Sequence, residues 1–196
     1  MKKAIVVLNG SPCKYDFDDG FIICCDGALN YLNALGVKYD LILGDFDSLG
    51  YIPENAEVFP KEKDYTDGEL ALQKCLENKF DKVDFICSGG GRDDHFFGNI
   101  ALLRQAFERG LDARLFTEYS VMKIVSDSFS ETVNIGTIVS VIALENSVVK
   151  ESFGLKYPYF NTTLLPSFTL GLSNETTENT FKIDLESGLV LVIVNR

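Results

Sequence analysis

As far as about residue 120, short β-branched and aliphatic runs alternate with longer segments of helical period. That pattern predicts an α/β layer fold with a largely parallel sheet. The apolar runs fall at 4–8, 21–25, 40–43, 57–59, 83–87 and 113–116. Between them, Ala28, Tyr31, Leu32 and Leu35 recur on one helical face before Gly36, and Phe96, Ile100, Leu103 and Phe107 do so before Gly110. A third helix is expected over about 67–79. Its start reads as a capping box, in which the Thr66 hydroxyl accepts from the Glu69 amide while the Glu69 carboxylate reaches back to the Thr66 amide.

Beyond about residue 121 the helical period disappears. Ile, Val, Thr and Ser alternate there, broken at short intervals by Gly, Pro and Asn, so this half is expected to be all-β. Candidate strands are 137–144, 147–151, 180–184 and 189–194, the last two joined through Glu186, Ser187 and Gly188 as a hairpin turn. Residues 158–166, with a proline at each end, read as a loop. Two domains follow, 1–120 and 121–196.

Composition narrows the function classes. With 46% hydrophobic residues and 12% aromatics among 196, the chain has the material for a folded core. A formal charge of -11 argues against a nucleic-acid binder and favours a cationic small molecule. A polyanion would need a metal ion or a local basic group to offset the repulsion. The five cysteines include no C-x-x-C pair, which fits free thiols in a reducing cytoplasm. The apolar run at 4–8 is too short for a signal peptide, and none approaches the roughly 18 residues of a membrane span.

Four segments at strand-to-helix junctions could carry chemistry. The run 41–44 leads into Asp45, Phe46, Asp47 and Ser48. Carboxylates beyond the carboxyl end of a strand suit a magnesium ion carrying phosphates, although a turn with a Ser48 cap explains the same residues. Asp64 and Asp67 stand at the next helix start, where the helix dipole alone accounts for either. Two repelling acidic pairs together favour a cation, with magnesium the economical choice. Gly89, Gly90 and Gly91 could turn backbone amides toward a phosphate, with Arg92 adding charge, or simply form a flexible turn capped by Asp93 or Asp94. His95 sits beside them in the first helical turn, either as a packed side chain or in a proton-handling role. The fourth segment is Cys25, Asp26, Gly27, Ala28, Leu29 and Asn30, in which Asp26 is a cap or a ligand for an amine, hydroxyl or metal-bound water, and Gly27 would let a ligand near the backbone.

Read in order, D-G-A-x-N, G-D-F-D-S, D-Y-T-D-x-E and G-G-R-D-D-H resemble the catalytic half of thiamine pyrophosphokinases. The second half agrees: Gly154 to Pro158 looks like that family's G-L-K-W-P loop, and Ser173, Asn174 and Glu175 look like its S-N-E segment. The resemblance therefore spans nearly the whole chain.

It implies a Rossmann-like catalytic, nucleotide-binding domain followed by a smaller β-sandwich for thiamine binding and dimerisation. It also implies a cytoplasmic homodimer using ATP, thiamine and Mg2+, with thiamine sites between one subunit's α/β domain and the other's β domain. By the same resemblance Asp45, Asp47 and Asp67 hold magnesium, while Asp26 and Asn30 line the nucleotide region. Arg92, Asp94, His95 and Asn99 surround the reacting groups, and Ser173 and Asn174 meet the thiamine pyrimidine. Two positions depart from the pattern. Ala28 replaces a second glycine, and Tyr157 replaces the loop tryptophan, leaving a smaller π face for the thiazolium cation. A metal-dependent transferase acting on another alcohol, a thiamine-binding protein without catalysis, and a structural interaction module remain the rival readings.

Overall fold

The computed structural model describes residues 1–17 and 20–196 and resolves the chain into two compact units, Met1–Glu118 and Tyr119–Arg196. In the first, β1 (Lys3–Val7), β2 (Phe21–Cys25), β3 (Leu41–Gly44), β4 (Glu57–Val58), β5 (Lys82–Ile86) and β6 (Asp112–Phe116) lie in the order β6-β5-β1-β2-β3-β4. Every pairing among them is parallel. The central strands β1, β2 and β3 are apolar on both faces because helices cover both. Ile5, Val7, Ile22, Cys24 and Ile42 share a core with Leu29 and Leu32 of helix α1 (Leu29–Leu35). The intervening Ala4, Val6, Ile23 and Leu43 are equally buried, and helix α2 (Asp67–Glu77) packs on β1 to β3 and against helix α3 (Asp93–Glu108).

The expected helix signals appear where the chain writes them. Gly36 closes α1 in the left-handed region at φ 66°, a conformation glycine adopts without a Cβ penalty. Thr66 and Glu69 form the reciprocal capping box, with Glu69 N–H donating to Thr66 Oγ1 at 3.2 Å and Thr66 N–H to Glu69 Oε2 at 2.9 Å. The helix predicted from Phe96, Ile100, Leu103 and Phe107 begins earlier than that apolar stripe, at Asp93, with Arg92 as its N-cap. Neither Asp93 nor Asp94 is the cap; both occupy the first turn.

The second unit contains strands and no helix among the described residues. Its strands are β7 (Ser120–Val125), β8 (Ser128–Thr132), β9 (Ile138–Ala143), β10 (Ser147–Phe153), β11 (Phe160–Leu164), β12 (Asn174–Glu175), β13 (Thr180–Ser187) and β14 (Val190–Asn195). They form two antiparallel sets, β12-β9-β14-β7 and β11-β10-β13-β8. Alternate residues from both sets, among them Val139, Val141, Val149, Phe181, Ile183, Val190 and Val192, enclose one core.

Two local expectations fail here. β13 and β14 are not a hairpin: β13 pairs with β8 and β10, and β14 with β7 and β9. Gly188, at φ 92°, and Leu189 carry the chain from one sheet to the other, and Ser147 Oγ pins that corner through Leu189 N–H at 3.0 Å. Alternation cannot distinguish strands that pair from strands that face each other across a core. Likewise 158–166 is not all loop, because β11 lies within it and pairs with β10. No helix among the described residues is long and apolar enough to cross a membrane.

The capping box yields a stability prediction. Burial works against the Glu69 carboxylate, but hydrogen bonds from Gln105 and Thr66 hold its pKa below the usual glutamate range. Glu69→Ala should cost about 1 kcal/mol at pH 7 in chemical denaturation. A lowered folded pKa makes this contribution complete above the ordinary value of about 4.3. It is lost as pH falls through the folded value. The mutant deficit should therefore shrink in acid, and a pH-independent deficit would assign the loss to something other than the ionised cap.

Candidate functional site

Three of the parallel strands, β2, β3 and β5, run into residues forced into the left-handed region. Asp26 follows β2 at φ 45°, Phe46 follows β3 at φ 61°, and Cys87 follows β5 at φ 53°. Such conformations cost roughly 1–2 kcal/mol each for residues with a Cβ, and persist where surrounding structure over-determines them. Phe46 makes the constraint visible, because its ring is buried in the core between two aspartates that are not. Burying the middle residue of Asp45-Phe46-Asp47 turns both flanking carboxylates toward the strand ends. Gly44 completes the arrangement: a Cβ there would lie 2.9 Å from Asp26 Cβ, so glycine lets the two chain segments close up.

Carboxylate oxygens of Asp26, Asp45 and Asp47 consequently lie within 4.8 Å of one another. Asp26 is only 6% exposed. Its Oδ2 accepts a short hydrogen bond from Ser48 Oγ, while its Oδ1 is buried with no partner. An orphaned buried carboxylate oxygen among other carboxylates is the chemistry of a hard-cation site, and these residues fit a divalent ion.

Two lysines border the cluster. Lys63 Nζ lies 3.1 Å from Asp67 Oδ1 and 3.5 Å from Asp45 Oδ2, while Lys61 Nζ lies 2.7 Å from Asp47 Oδ2. Asp67 Oδ1 is buried and in ion-pair contact with Lys63 without a well-directed hydrogen bond. Burial pushes the Asp67 carboxyl above its usual range despite Lys63, with Asp45 and Asp26 adding repulsion. Burial pulls the Lys63 ammonium down, but Asp67 and Asp45 more than offset this and its pKa is raised. Asp47 moves the other way, held low by its bond to Lys61.

The opposite wall is the glycine segment after β5. The chain leaving β1 is stitched to it: Gly10 N–H donates to the Cys87 carbonyl at 3.0 Å and Ser11 N–H to the Gly89 carbonyl at 2.7 Å. A Cβ on Gly10 would sit 2.3 Å from the first of those oxygens, so only glycine permits the approach. Asn99 Nδ2 donates to the Ser88 carbonyl at 2.8 Å, tying α3 to the same segment. Arg92 grips Asp94 with two bonds, Nε to Oδ1 at 3.1 Å and Nη2 to Oδ2 at 2.6 Å, and His95 N–H also donates to Asp94 Oδ1. Chiefly through Arg92, the Asp94 carboxyl is held below the usual range.

Both walls face one cavity of ≈ 910 Å³, which receives Asp26, Asp45, Asp47, Asp67, Gly90, Gly91, Arg92, Asp94, His95 and Asn99. Of the site residues singled out in the first unit, four, Gly27, Asn30, Asp64 and Gly89, are not part of its lining. Gly27 abuts Asn9 instead, since a Cβ there would meet the Asn9 amide at 2.6 Å. Gly89 abuts Thr117. Asn30 is exposed on α1, and Asp64 is exposed ahead of α2 and outside the cluster of Asp26, Asp45 and Asp47. Sequence reasoning missed Asn9, Ser11, Lys61 and Lys63, which also line the cavity. The Lys-Glu-Lys ahead of Asp64 carried the signal for the lysines, since cations beside an acidic pair are the expected local countercharge.

In the second unit, Tyr157 is 63% exposed. Its backbone is clamped by Asn174, whose Oδ1 accepts from Tyr157 N–H at 3.1 Å and whose Nδ2 donates to the Tyr157 carbonyl at 2.7 Å. Asn174 is buried and Oδ1 also accepts from Glu175 N–H, so its amide holds the loop that presents the aromatic ring. Ser173 is exposed, at φ 56°, with its N–H donating to Ser140 Oγ at 3.0 Å.

Fold and cavity together define an α/β protein with a concave site beyond the carboxyl ends of parallel strands and an acidic cluster that could hold a metal ion. Residues 17–115 match the family model described as thiamin pyrophosphokinase, catalytic domain. The chain belongs to the thiamin pyrophosphokinase family. It is 28% identical over 186 residues to the thiamine pyrophosphokinase of Bacillus subtilis (strain 168), covering 85% of this chain and 83% of that protein. The crystal structure of the thiamine pyrophosphokinase from Bacillus subtilis superposes with a TM-score of 0.88 at 25% identity over 99% of both chains. That of Geobacillus thermodenitrificans superposes with a TM-score of 0.82 at 26% identity, over 100% of this chain and 98% of the other. The Candida albicans enzyme shares the fold, with a TM-score of 0.76 at 16% identity.

The unpartnered Asp26 oxygen makes the cluster's cation affinity measurable through stability. A divalent cation at about a hundred times its Kd should add roughly 2.7 kcal/mol. That corresponds to a rise in melting temperature of roughly 5–10 °C. Asp26→Asn should abolish most of this rise while leaving the metal-free protein as stable or more so, because a buried repulsion is removed. An undiminished rise in differential scanning calorimetry would take Asp26 out of the metal set.

Proposed function

We propose that the chain transfers the terminal diphosphate of ATP to the hydroxyethyl group of thiamine, giving thiamine diphosphate and AMP. The observation that carries the reading is the match of residues 17–115 to the family's catalytic domain, because those residues contain the acidic and glycine motifs that meet at one cavity. In this reading residues 1–120 are a Rossmann-like catalytic domain. Residues 121–196 are a β-sandwich that binds thiamine and mediates a homodimer. Five free, buried thiols accord with a reducing, cytoplasmic setting.

In the reaction the thiamine alcohol oxygen attacks the β-phosphorus of ATP. The bond from that phosphorus to the α–β bridging oxygen breaks, AMP departs with the electron pair, and the hydroxyl proton is released to solvent. Little covalent chemistry falls to the protein, so positioning and electrostatics dominate. A bound Mg2+ would supply Lewis-acid neutralisation of the phosphate oxygens, held by Asp26, Asp45 and Asp47 with Asp67 beside them. Arg92 and the amides of the Gly90 and Gly91 turn face the phosphates from the other wall and stabilise charge that develops there. Asp94 accepts a hydrogen bond from the thiamine hydroxyl and orients it. Because Arg92 lowers its pKa, Asp94 is a weak base, and its contribution is alignment more than proton removal. Tyr157 offers its ring to the thiazolium cation, with Ser173 near the pyrimidine.

The direct test incubates purified protein with ATP, Mg2+ and thiamine and follows products by mass spectrometry. Thiamine diphosphate and AMP in equal amounts are expected; tight thiamine binding without ATP consumption would make the protein a binding module, and ADP would mean monophosphoryl transfer. Asp45→Asn should lower kcat by at least about a hundredfold with the fold retained by circular dichroism. Tyr157→Ala should leave kcat nearly unchanged and raise the thiamine KM about fivefold, the loss of roughly 1 kcal/mol of cation–π attraction. Unchanged KM would remove Tyr157 from the substrate site.

A further inference from the structure

Among the described residues, Lys63 is the one cation in ion-pair contact with two carboxylates of the acidic wall at once, 3.1 Å from Asp67 and 3.5 Å from Asp45, with only 14% of its side chain exposed. Lys61, by contrast, forms its ion pair with Asp47 and is 74% exposed. An exposed pair such as Lys61–Asp47 is screened by water and yields easily. The Lys63 contacts are enclosed. Its ammonium therefore stands as fixed positive charge beside Asp45, whose oxygen belongs to the cluster with Asp26 and Asp47 that fits a divalent ion. A cation entering that cluster alone must share Asp45 with an ammonium that repels it. Phosphate oxygens entering with the cation change the sign of the problem, since Lys63 also lines the cavity and gains anionic partners.

We infer that Lys63 is a positioning residue that makes the metal ion and the nucleotide phosphates bind as a unit. Before loading, its charge replaces the missing cation, keeps the carboxylates of Asp45 and Asp67 from driving each other apart, and holds the affinity for free metal down. On loading, it moves its contacts from carboxylate to phosphate, so the ion and the phosphates each raise the other's affinity. The proposal rests on the reading of the site as one for a metal-bound nucleotide, but not on thiamine being the acceptor.

The test measures binding, without turnover. Mn2+ binding is followed by electron paramagnetic resonance of the free ion, and Mg2+ binding by calorimetry, with and without α,β-methylene ATP, whose scissile bridge cannot be broken by transfer. In the wild-type protein the analogue should tighten the metal at least about tenfold. Lys63→Met should bind metal alone on the order of tenfold more tightly, as expected for removing one nearby positive charge. It should bind the metal–analogue pair on the order of tenfold more weakly. Lys63→Arg should restore both values toward wild type, which a purely structural role for the stem would not require. Thermal melts check folding, and Lys63→Gln stands in if the methionine variant is unfolded. The inference is overturned if the wild-type protein binds metal equally well with and without the analogue, or if a folded uncharged variant binds metal alone no more tightly. Absence of any nucleotide binding would overturn the assignment of the site itself, and the metal-only comparison would still decide what Lys63 does.

Discussion

Repulsion among carboxylates at the rim of a parallel sheet is the constraint around which the rest of the first unit is arranged. Oxygens of Asp26, Asp45 and Asp47 within 4.8 Å of one another would separate if the backbone were free to let them. It is not free. The Phe46 ring is locked in the core, Gly44 admits Asp26 where a Cβ would not fit, and Asp26 itself is trapped at a positive φ. The hydrophobic core therefore holds the charges together, and the lysines bordering the cluster limit what that costs.

The two walls of the cavity answer different needs. On one side carboxylates are dense and partly buried, so their field is only weakly screened and demands a cation. On the other, Arg92 and backbone amides accompany a chain made rigid by Gly10, Ser11 and Asn99. A diphosphate carrying a divalent ion is complementary to both walls, with the metal against the carboxylates and the oxygens against the arginine. Neither component alone satisfies both, which is why a net charge of -11 does not prevent the chain from handling a nucleotide.

Much of this was legible in the sequence because it is local. The strands on either side of α1, the capping box at Thr66 and the glycine stop at Gly36 each depend on a few consecutive residues, and all three appear as written. What was not legible depends on partners far along the chain. Gly27 reads as room for a ligand until Asn9, eighteen positions earlier, is seen to fill it. Asp64 and Asp67 read alike, yet only Asp67 lines the cavity, beside Asp45. β13 and β14 read as a hairpin because alternation is blind to which neighbour a strand chooses. The bonds by which the Asn174 amide holds the Tyr157 backbone join residues 17 positions apart, and no local motif announces them.

The same groups that define the site weaken the fold that carries them. A buried carboxylate oxygen without a partner at Asp26, and another at Asp67 that meets an ammonium without a well-directed bond, are features a protein selected only for stability would replace. Their persistence follows if the relevant folded state includes a cation, because ligand that binds only the folded chain adds its binding free energy to stability. Metal affinity and fold stability are then two measurements of one quantity. The strain at Asp26 is part of that quantity too, since relaxing its backbone would relieve the repulsion and dismantle the ligand geometry in the same movement.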